Sequence, residues 1–239
     1  MTKDKITDKE YLSKRASISK TYGISDLWSI VDHWPLYCGI KNLGRFVAIY
    51  ELFKTTINVP GHIAEFGCWK GANLMFLAKI LRLSDPFGNK LVHGFESFQG
   101  LTDFVSEDGE ADANTGEYKG ELKQLKDMIK LYNMEQDVIV HEGPIQETLP
   151  QFVLNNQTIR FSFVYCDTDL YEPTKIIMET VDERVSKGGL VVFDQWNDIR
   201  WPGETLAVNE FMNQYGEKYD MLHVPNTSQP TLALKKIAI

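Results

Sequence analysis

Cysteine is scarce in this 239-residue chain: three residues, Cys38, Cys68 and Cys166, form no CxxC pair and no Cys/His spacing of the kind that ligates zinc. That argues against a disulfide scaffold and a structural zinc site. Cys68 and Cys166, set in apolar stretches, read as inert buried thiols. Positive charge is short too. Lys and Arg number 25 against 33 Asp and Glu, a net −8 with neutral histidine, which is the wrong balance for a duplex nucleic-acid binder. No apolar run reaches the about 20 residues of a membrane span, and the opening stretch from Met1 to Glu10 lacks a secretory apolar region. A cytoplasmic protein without nucleic-acid or membrane partners is the expectation. Repeats, low-complexity segments, GxGxxG and GxxxxGK[ST] are all absent.

What is present is globular: 43% hydrophobic and 24% charged residues. Residues 1–34 are charged and then aromatic (Tyr22, Trp28, Trp34), which predicts short helices outside the main core, interrupted by Pro35 and Gly39. Leu43, Phe46, Val47, Tyr50 and Phe53 recur near 3.6-residue spacing, so 42–57 reads as a helix. From Gly61 the pattern changes. Strands are expected at 62–66, 90–95, 138–141, 161–166, 190–193, 219–224 and 231–236. Helices fall between them at 71–83, 121–134, 145–154, 173–185 and 204–215, with a polar loop over 106–120. Several strands are apolar on both faces. The expected fold is therefore α/β: a doubly wound, mostly parallel, Rossmann-like seven-stranded sheet with a helical N-terminal extension. The extension, residues 1–40, reads as a lid or dimer contact, and 41–239 as the main domain.

In such sheets ligands bind beyond the carboxyl ends of the strands. The first strand is followed by Glu65-Phe66-Gly67-Cys68-Trp69-Lys70-Gly71. An acid and two glycines at a strand-to-helix turn suggest a nucleotide-type cofactor, but Trp69 holds the place where a pyrophosphate needs glycine. S-adenosylmethionine has no phosphate; it needs a turn for its methionine portion and an acid near its ammonium, which Glu65, Gly67 and Gly71 provide. A tight turn with Glu65 capping the helix is the plainer alternative. Glu96, after the second strand, stands where a carboxylate accepts both ribose hydroxyls, though a solvated glutamate would look the same. The fourth and fifth strands end in Asp167-Thr168-Asp169 and Asp194-Gln195-Trp196. Carboxylates converging from adjacent strand ends suit Mg²⁺, which could bind two substrate hydroxyls and lower the pKa of one. Asp169 and Asp198 read instead as helix caps.

Glu65-Phe66-Gly67-Cys68-Trp69-Lys70-Gly71, Glu96-Ser97-Phe98-Gln99-Gly100-Leu101, Gly143 with Glu147-Thr148-Leu149-Pro150, Asp167-Thr168-Asp169-Leu170-Tyr171-Glu172-Pro173, Gly188-Gly189 and Asp194 follow one another in that order. From about residue 40 onward the chain resembles the class I S-adenosylmethionine-dependent methyltransferases, and more closely the macrocin O-methyltransferase (TylF/MycF-type) family. The resemblance implies Mg²⁺-assisted methylation of a sugar hydroxyl on a natural product. It puts Asp167, Asp194 and Gln195 at the metal, and Glu65, Gly67, Glu96, Ser97 and Thr168 at the cofactor. Gly143 begins the adenine-side loop, and Asp167 assists deprotonation. Three positions depart from the family pattern: Gln195 replaces the usual acid, Glu96 the commoner Asp, and Asn73 a frequent Ser. The lysine base of catechol-type enzymes would fall at Leu170. Tyr37, Trp196 and Trp201 are the candidate acceptor wall, and the aromatic N-terminal portion suggests a homodimer. Two rivals stand beside this reading: a metal-independent N-, carboxyl- or phenol methyltransferase, and a non-catalytic cofactor-binding scaffold.

Overall fold

Seven strands form one sheet: β1 (His62–Phe66), β2 (Val92–Glu96), β3 (Val138–Glu142), β4 (Phe161–Cys166), β5 (Val185–Phe193), β6 (Tyr219–His223) and β7 (Leu232–Lys236), in the order β3-β2-β1-β4-β5-β7-β6. The computed structural model describes residues 8–23, 28–225 and 227–238. β3, β2, β1, β4 and β5 are parallel, and β7 runs antiparallel to both of its neighbours. The chain enters at β1, winds outward to β3, and returns to β4. The order therefore reverses between β1 and β4, where a crevice opens at the carboxyl ends.

The apolar runs explain the parallel pairing. Every residue of β4 is buried, and successive side chains point to opposite faces, so both faces need cover. On one face Ile63, Phe163, Tyr165 and Val192 pack with Phe53, Leu74, Leu77 and Leu125. These come from helices α4 (Ile40–Lys54), α5 (Ala72–Ser84) and α6 (Leu122–Leu131). On the other face Phe66, Phe95, Val164 and Phe193 meet Leu149, Ile177, Val181 and Val208. Those helices are α7 (Ile145–Asn155), α8 (Tyr171–Val181) and α9 (Pro202–Tyr215). Each large side chain so buried contributes about 1.5–3 kcal/mol.

Ahead of α4 lie α1 (Asp8–Tyr22), α2 (Trp28–Asp32) and α3 (Trp34–Tyr37), so the helical N-terminal part is present. α1 docks on α6, where Tyr22 Oη donates to Asp127 Oδ2 at 2.7 Å. Residues 1–7 and 24–27, part of the expected N-terminal segment, lie outside the described residues. Among the described residues no helix is long and apolar enough to cross a membrane.

Two expectations shift. The helix expected over 173–185 ends at Val181, and β5 begins at Val185 rather than Leu190. Val185 pairs with Phe161 and Leu190 with Phe163, so Gly188-Gly189 sit in a bulge within the strand instead of before it. The polar loop 106–120 contains 3-10 turns over Ser106–Asn114. Asp108 anchors them: it is buried and accepts the Tyr171 and Val105 N–H groups at 2.8 and 2.9 Å. That Asp108 would fix the loop to the start of α8 left no signature in the polar composition.

Candidate active site

The tips of β1 and β4 meet because residue 67 is glycine. Gly67 has φ +81°, and a Cβ there would lie 1.8 Å from the Asp167 carbonyl oxygen. The Asp167 N–H in turn donates to Phe66 O at 2.9 Å. Gly71, with φ +79°, opens α5, where a Cβ would press on Leu125. Between them Trp69 adopts φ +48°, held by its N–H donating to Glu96 Oε2 at 2.8 Å. Of the seven described non-glycine residues with positive φ, four (Trp69, Asp103, Tyr118 and Asp169) line a single cavity of about 270 Å³. Strained backbone gathers at functional sites because the surrounding structure must hold it there.

Several sequence-predicted residues share this cavity: Gly67, Glu96, Ser97, Asp167, Thr168, Gln195 and Trp201. Glu96 accepts backbone N–H groups on both oxygens, from Trp69 and from Phe98 at 2.9 Å, and keeps lone pairs for further donors. Glu65 is buried just behind. One of its oxygens accepts from Asn73 Nδ2 at 3.0 Å, whereas Oε2 has no partner. Burial pushes its pKa up to about 8 against the opposing Asn73 bond. An orphaned carboxylate oxygen is what an ammonium group would satisfy. Gly71 and Gly143 do not line the cavity themselves. Gly143, whose N–H donates to Glu96 O at 3.0 Å, leads into Pro144, Ile145 and Gln146, which do.

Of the three residues expected at the acceptor wall, Trp201 lines this cavity and the other two do not. The Trp196 ring packs with the core of the α8–α9 face, and its Nε1 donates to Asn209 Oδ1 at 3.1 Å, so it does not line the cavity. Tyr37 sits exposed on α3, also off the cavity. Trp69, Tyr118 and Trp201 form a chain of edge-on rings, with centroids 5.5 and 6.4 Å apart. Arg45, Leu101, Asp103, Arg200 and Gln229 line the cavity as well. Of these, Arg45, Asp103 and Gln229 were not expected from the sequence.

Asp167 and Asp194 do converge, but not around space for an ion. Arg45 Nη2 lies 2.7 Å from Asp167 Oδ2 and 3.0 Å from Asp194 Oδ1. Tyr165 Oη donates to the same Asp194 oxygen, and Gln195 Nε2 donates to Asp167 Oδ1 at 3.2 Å. Burial and mutual repulsion push Asp169 and Asp194 upward, and burial does the same to Glu204, whose Oε1 accepts the Gln195 N–H. Beside these acids the ion pair pushes Arg45 up, against its own burial. Among the described residues no group of three or more His, Cys, Asp and Glu side chains is arranged to hold a metal. A hard divalent ion needs several oxygens facing it. Here both Asp167 oxygens and Asp194 Oδ1 face nitrogen and hydroxyl donors, which leaves Mg²⁺ no bridging position between them, whereas Asp194 Oδ2 and Gln195 Oε1 are buried without a partner.

The strand order, the glycine turn after β1 and the acids at the strand tips define a class I methyltransferase fold. The sequence pattern of the macrocin-O-methyltransferase (TylF) family matches residues 37–229, and the chain belongs to that family. It is 27% identical over 165 residues to the 8-demethyl-8-(2,3-dimethoxy-alpha-L-rhamnosyl)-tetracenomycin-C 4'-O-methyltransferase of Streptomyces olivaceus, covering 66% of this chain and 60% of that protein. It is 28% identical over 175 residues to the demethyldecarbamoylnovobiocin O-methyltransferase of Streptomyces niveus, with the same coverage of 66% and 60%. The chain thus spans about 60% of the length of these curated relatives. Among solved structures, the calicheamicin methyltransferase CalS11 superposes with a TM-score of 0.77 at 22% identity, covering 99% of this chain and 96% of that one. The O-methyltransferase NovP gives 0.68 at 20% identity, over 82% and 80%.

Proposed function

We propose that the chain is an S-adenosylmethionine-dependent O-methyltransferase acting on a sugar or glycosylated natural-product hydroxyl. The observation that carries this is the shared cavity: Glu96 from the tip of β2 and Asp167 from the tip of β4 line one space at the point where the strand order reverses. Glu96, Ser97, Gly67 and Thr168 would hold the nucleoside side of the cofactor. Glu65 would receive the ammonium on its unpaired oxygen, with Gly71 and Gly143 shaping the flanking turns. The cofactor supplies an electrophilic methyl on sulfonium. Asp167 is the group an acceptor can reach, since its side chain is 21% exposed while that of Asp194 is 0%. It orients the acceptor hydroxyl and takes its proton as the oxygen attacks. Most of the rate would come from holding two reactants in line, worth up to about 7–11 kcal/mol. No step is assigned to a metal.

The ring chain Trp69–Tyr118–Trp201 favours a sugar acceptor, because the C–H faces of pyranoses pack on aromatic rings. The relatives' own acceptors, a rhamnosyl tetracenomycin and a novobiocin precursor, support the same class. The exposed apolar residues Leu36, Tyr37, Ile40 and Val47 on α3 and α4 form the face we assign to a homodimer, which light scattering would measure. The three unpaired cysteines suit a reducing cytoplasm.

The test is calorimetry with S-adenosylhomocysteine, followed by mass spectrometry of nucleotide-linked deoxysugars and rhamnosylated aglycones incubated with the methyl donor. Binding together with methylation of a sugar is the expected result. No binding, or methylation confined to amines and phenols, would sink the assignment.

A further inference from the structure

We propose that the Arg45 guanidinium supplies the positive charge at the acceptor end of the cavity, in the place a divalent ion would take; this rests on the methyl-transfer reading above. A single nitrogen, Nη2, reaches Asp167 Oδ2 at 2.7 Å and Asp194 Oδ1 at 3.0 Å, and so bridges the tips of β4 and β5. An ion bridging Asp167 Oδ2 and Asp194 Oδ1 would need the space that Nη2 holds; the other Asp194 oxygen, Oδ2, is buried without a partner.

The helix aims Arg45 there. Ala48 and Ile49, three and four residues on, are buried beneath α4 and lie on the face that Arg45 shares. Gln195 fits the same account. Its Nε2 donates to Asp167 Oδ1 at 3.2 Å. Turned over, the amide would set oxygen against oxygen at that distance, which is tenable only with a cation or a carboxyl proton between them. Both oxygens of Asp167 are therefore held by nitrogen donors, one charged and one neutral, and the carboxylate is fixed on the cavity wall. A guanidinium keeps its proton at any working pH, so this cation is permanent and owes nothing to metal supply. Arg45 acts through Asp167, which makes it a positioning residue.

The test uses the full chain saturated with S-adenosylhomocysteine and Mn²⁺ as the probe, read by electron paramagnetic resonance. With the wild type the Mn²⁺ signal stays that of the free ion, and a chelator leaves methyl transfer unchanged. The double variant Arg45→Ala/Gln195→Asp frees two carboxylates and adds a third; it binds Mn²⁺ at least about tenfold more tightly than the wild type. Arg45→Gln retains S-adenosylhomocysteine binding but loses about a hundredfold in transfer as Asp167 drifts out of place. Arg45→Lys recovers part of that loss. Bound Mn²⁺ in the wild type, a measurement that needs no variant to fold, overturns the proposal. So does transfer abolished by chelation and restored by Mg²⁺, or a double variant no better than the wild type at binding Mn²⁺. Failure of the wild type to bind S-adenosylhomocysteine at all would instead overturn the methyl-transfer reading.

Discussion

Acidification should weaken this protein through two histidines of the sheet. His93 on β2 and His141 on β3 lie on the sheet face covered by Phe152 of α7, with His93 Nδ1 3.1 Å from His141 Nε2. His93 Nε2 is buried without a partner, so the tautomer that wastes no N–H has His93 Nδ1–H donating to His141 Nε2. Burial, and for His93 the neighbouring rings of His141 and His62, hold the pKa values at about 3 and about 4. Both values lie below the ordinary 6.5, so the unfolded chain takes up protons that the native protein refuses. The stability that neutral imidazoles confer is fully present above pH 6.5 and is lost as pH falls toward these values. At pH 5 the buried His93 contributes a loss of about 2 kcal/mol relative to pH 7, and the half-buried His141 adds less because solvent screens its charge. That is a large share of a typical 5–15 kcal/mol. Glu65, with its raised pKa, acts in the opposite direction over part of this range. The difference between a variant and the wild type is therefore the diagnostic quantity. Urea unfolding of wild type and His93→Leu from pH 8 to 4.5 should show the acid-side loss shrinking by about 2 kcal/mol in the variant. Parallel curves, or native imidazole resonances titrating near 6.5, would refute the reasoning.

Two further outcomes follow from the site. Gly67→Ala combines a left-handed φ, which disfavours a side chain by about 1–2 kcal/mol, with a Cβ driven into the Asp167 carbonyl. With repacking the loss should reach about 2–4 kcal/mol by urea unfolding, and S-adenosylhomocysteine affinity should fall with it. Glu65 must ionise to pair with an ammonium group, yet burial holds its pKa at about 8. Binding near neutral pH should therefore release a proton, seen as a heat that depends on the buffer in calorimetry. Glu65→Gln should remove that dependence and weaken binding, whereas a buffer-independent wild type would contradict the role given to Glu65.

Much of this molecule was legible in its sequence because the signals are local. Parallel strands buried on both faces need unbroken apolar runs, so 161–166 and 62–66 declared themselves. Glu65 near the end of one run and Asp167 just after the other marked the strand tips, and Gly67 and Glu96 follow from the chemistry that strand-end turns require. Less local features escaped. The bulge within β5 hides Gly188-Gly189 inside a strand, because pairing with Phe161 and Phe163 resumes on either side of the extra residues. Trp196 and Trp201 are equivalent as letters; in the fold Trp196 packs, partly buried, against the α8–α9 face while the buried Trp201 lines the cavity.

The sequence by itself settled the α/β architecture, the family, and which acids stand at the carboxyl ends of the strands, since alternation and turn chemistry act over a few neighbouring residues. Only the tertiary structure decided what those acids face. Arg45 comes from a helix 122 residues before Asp167, and no spacing rule links the two. Folding brings α4 across the sheet and sets a guanidinium between two carboxylates whose sequence suggested a metal, because charge pairing depends on distance in space and not along the chain.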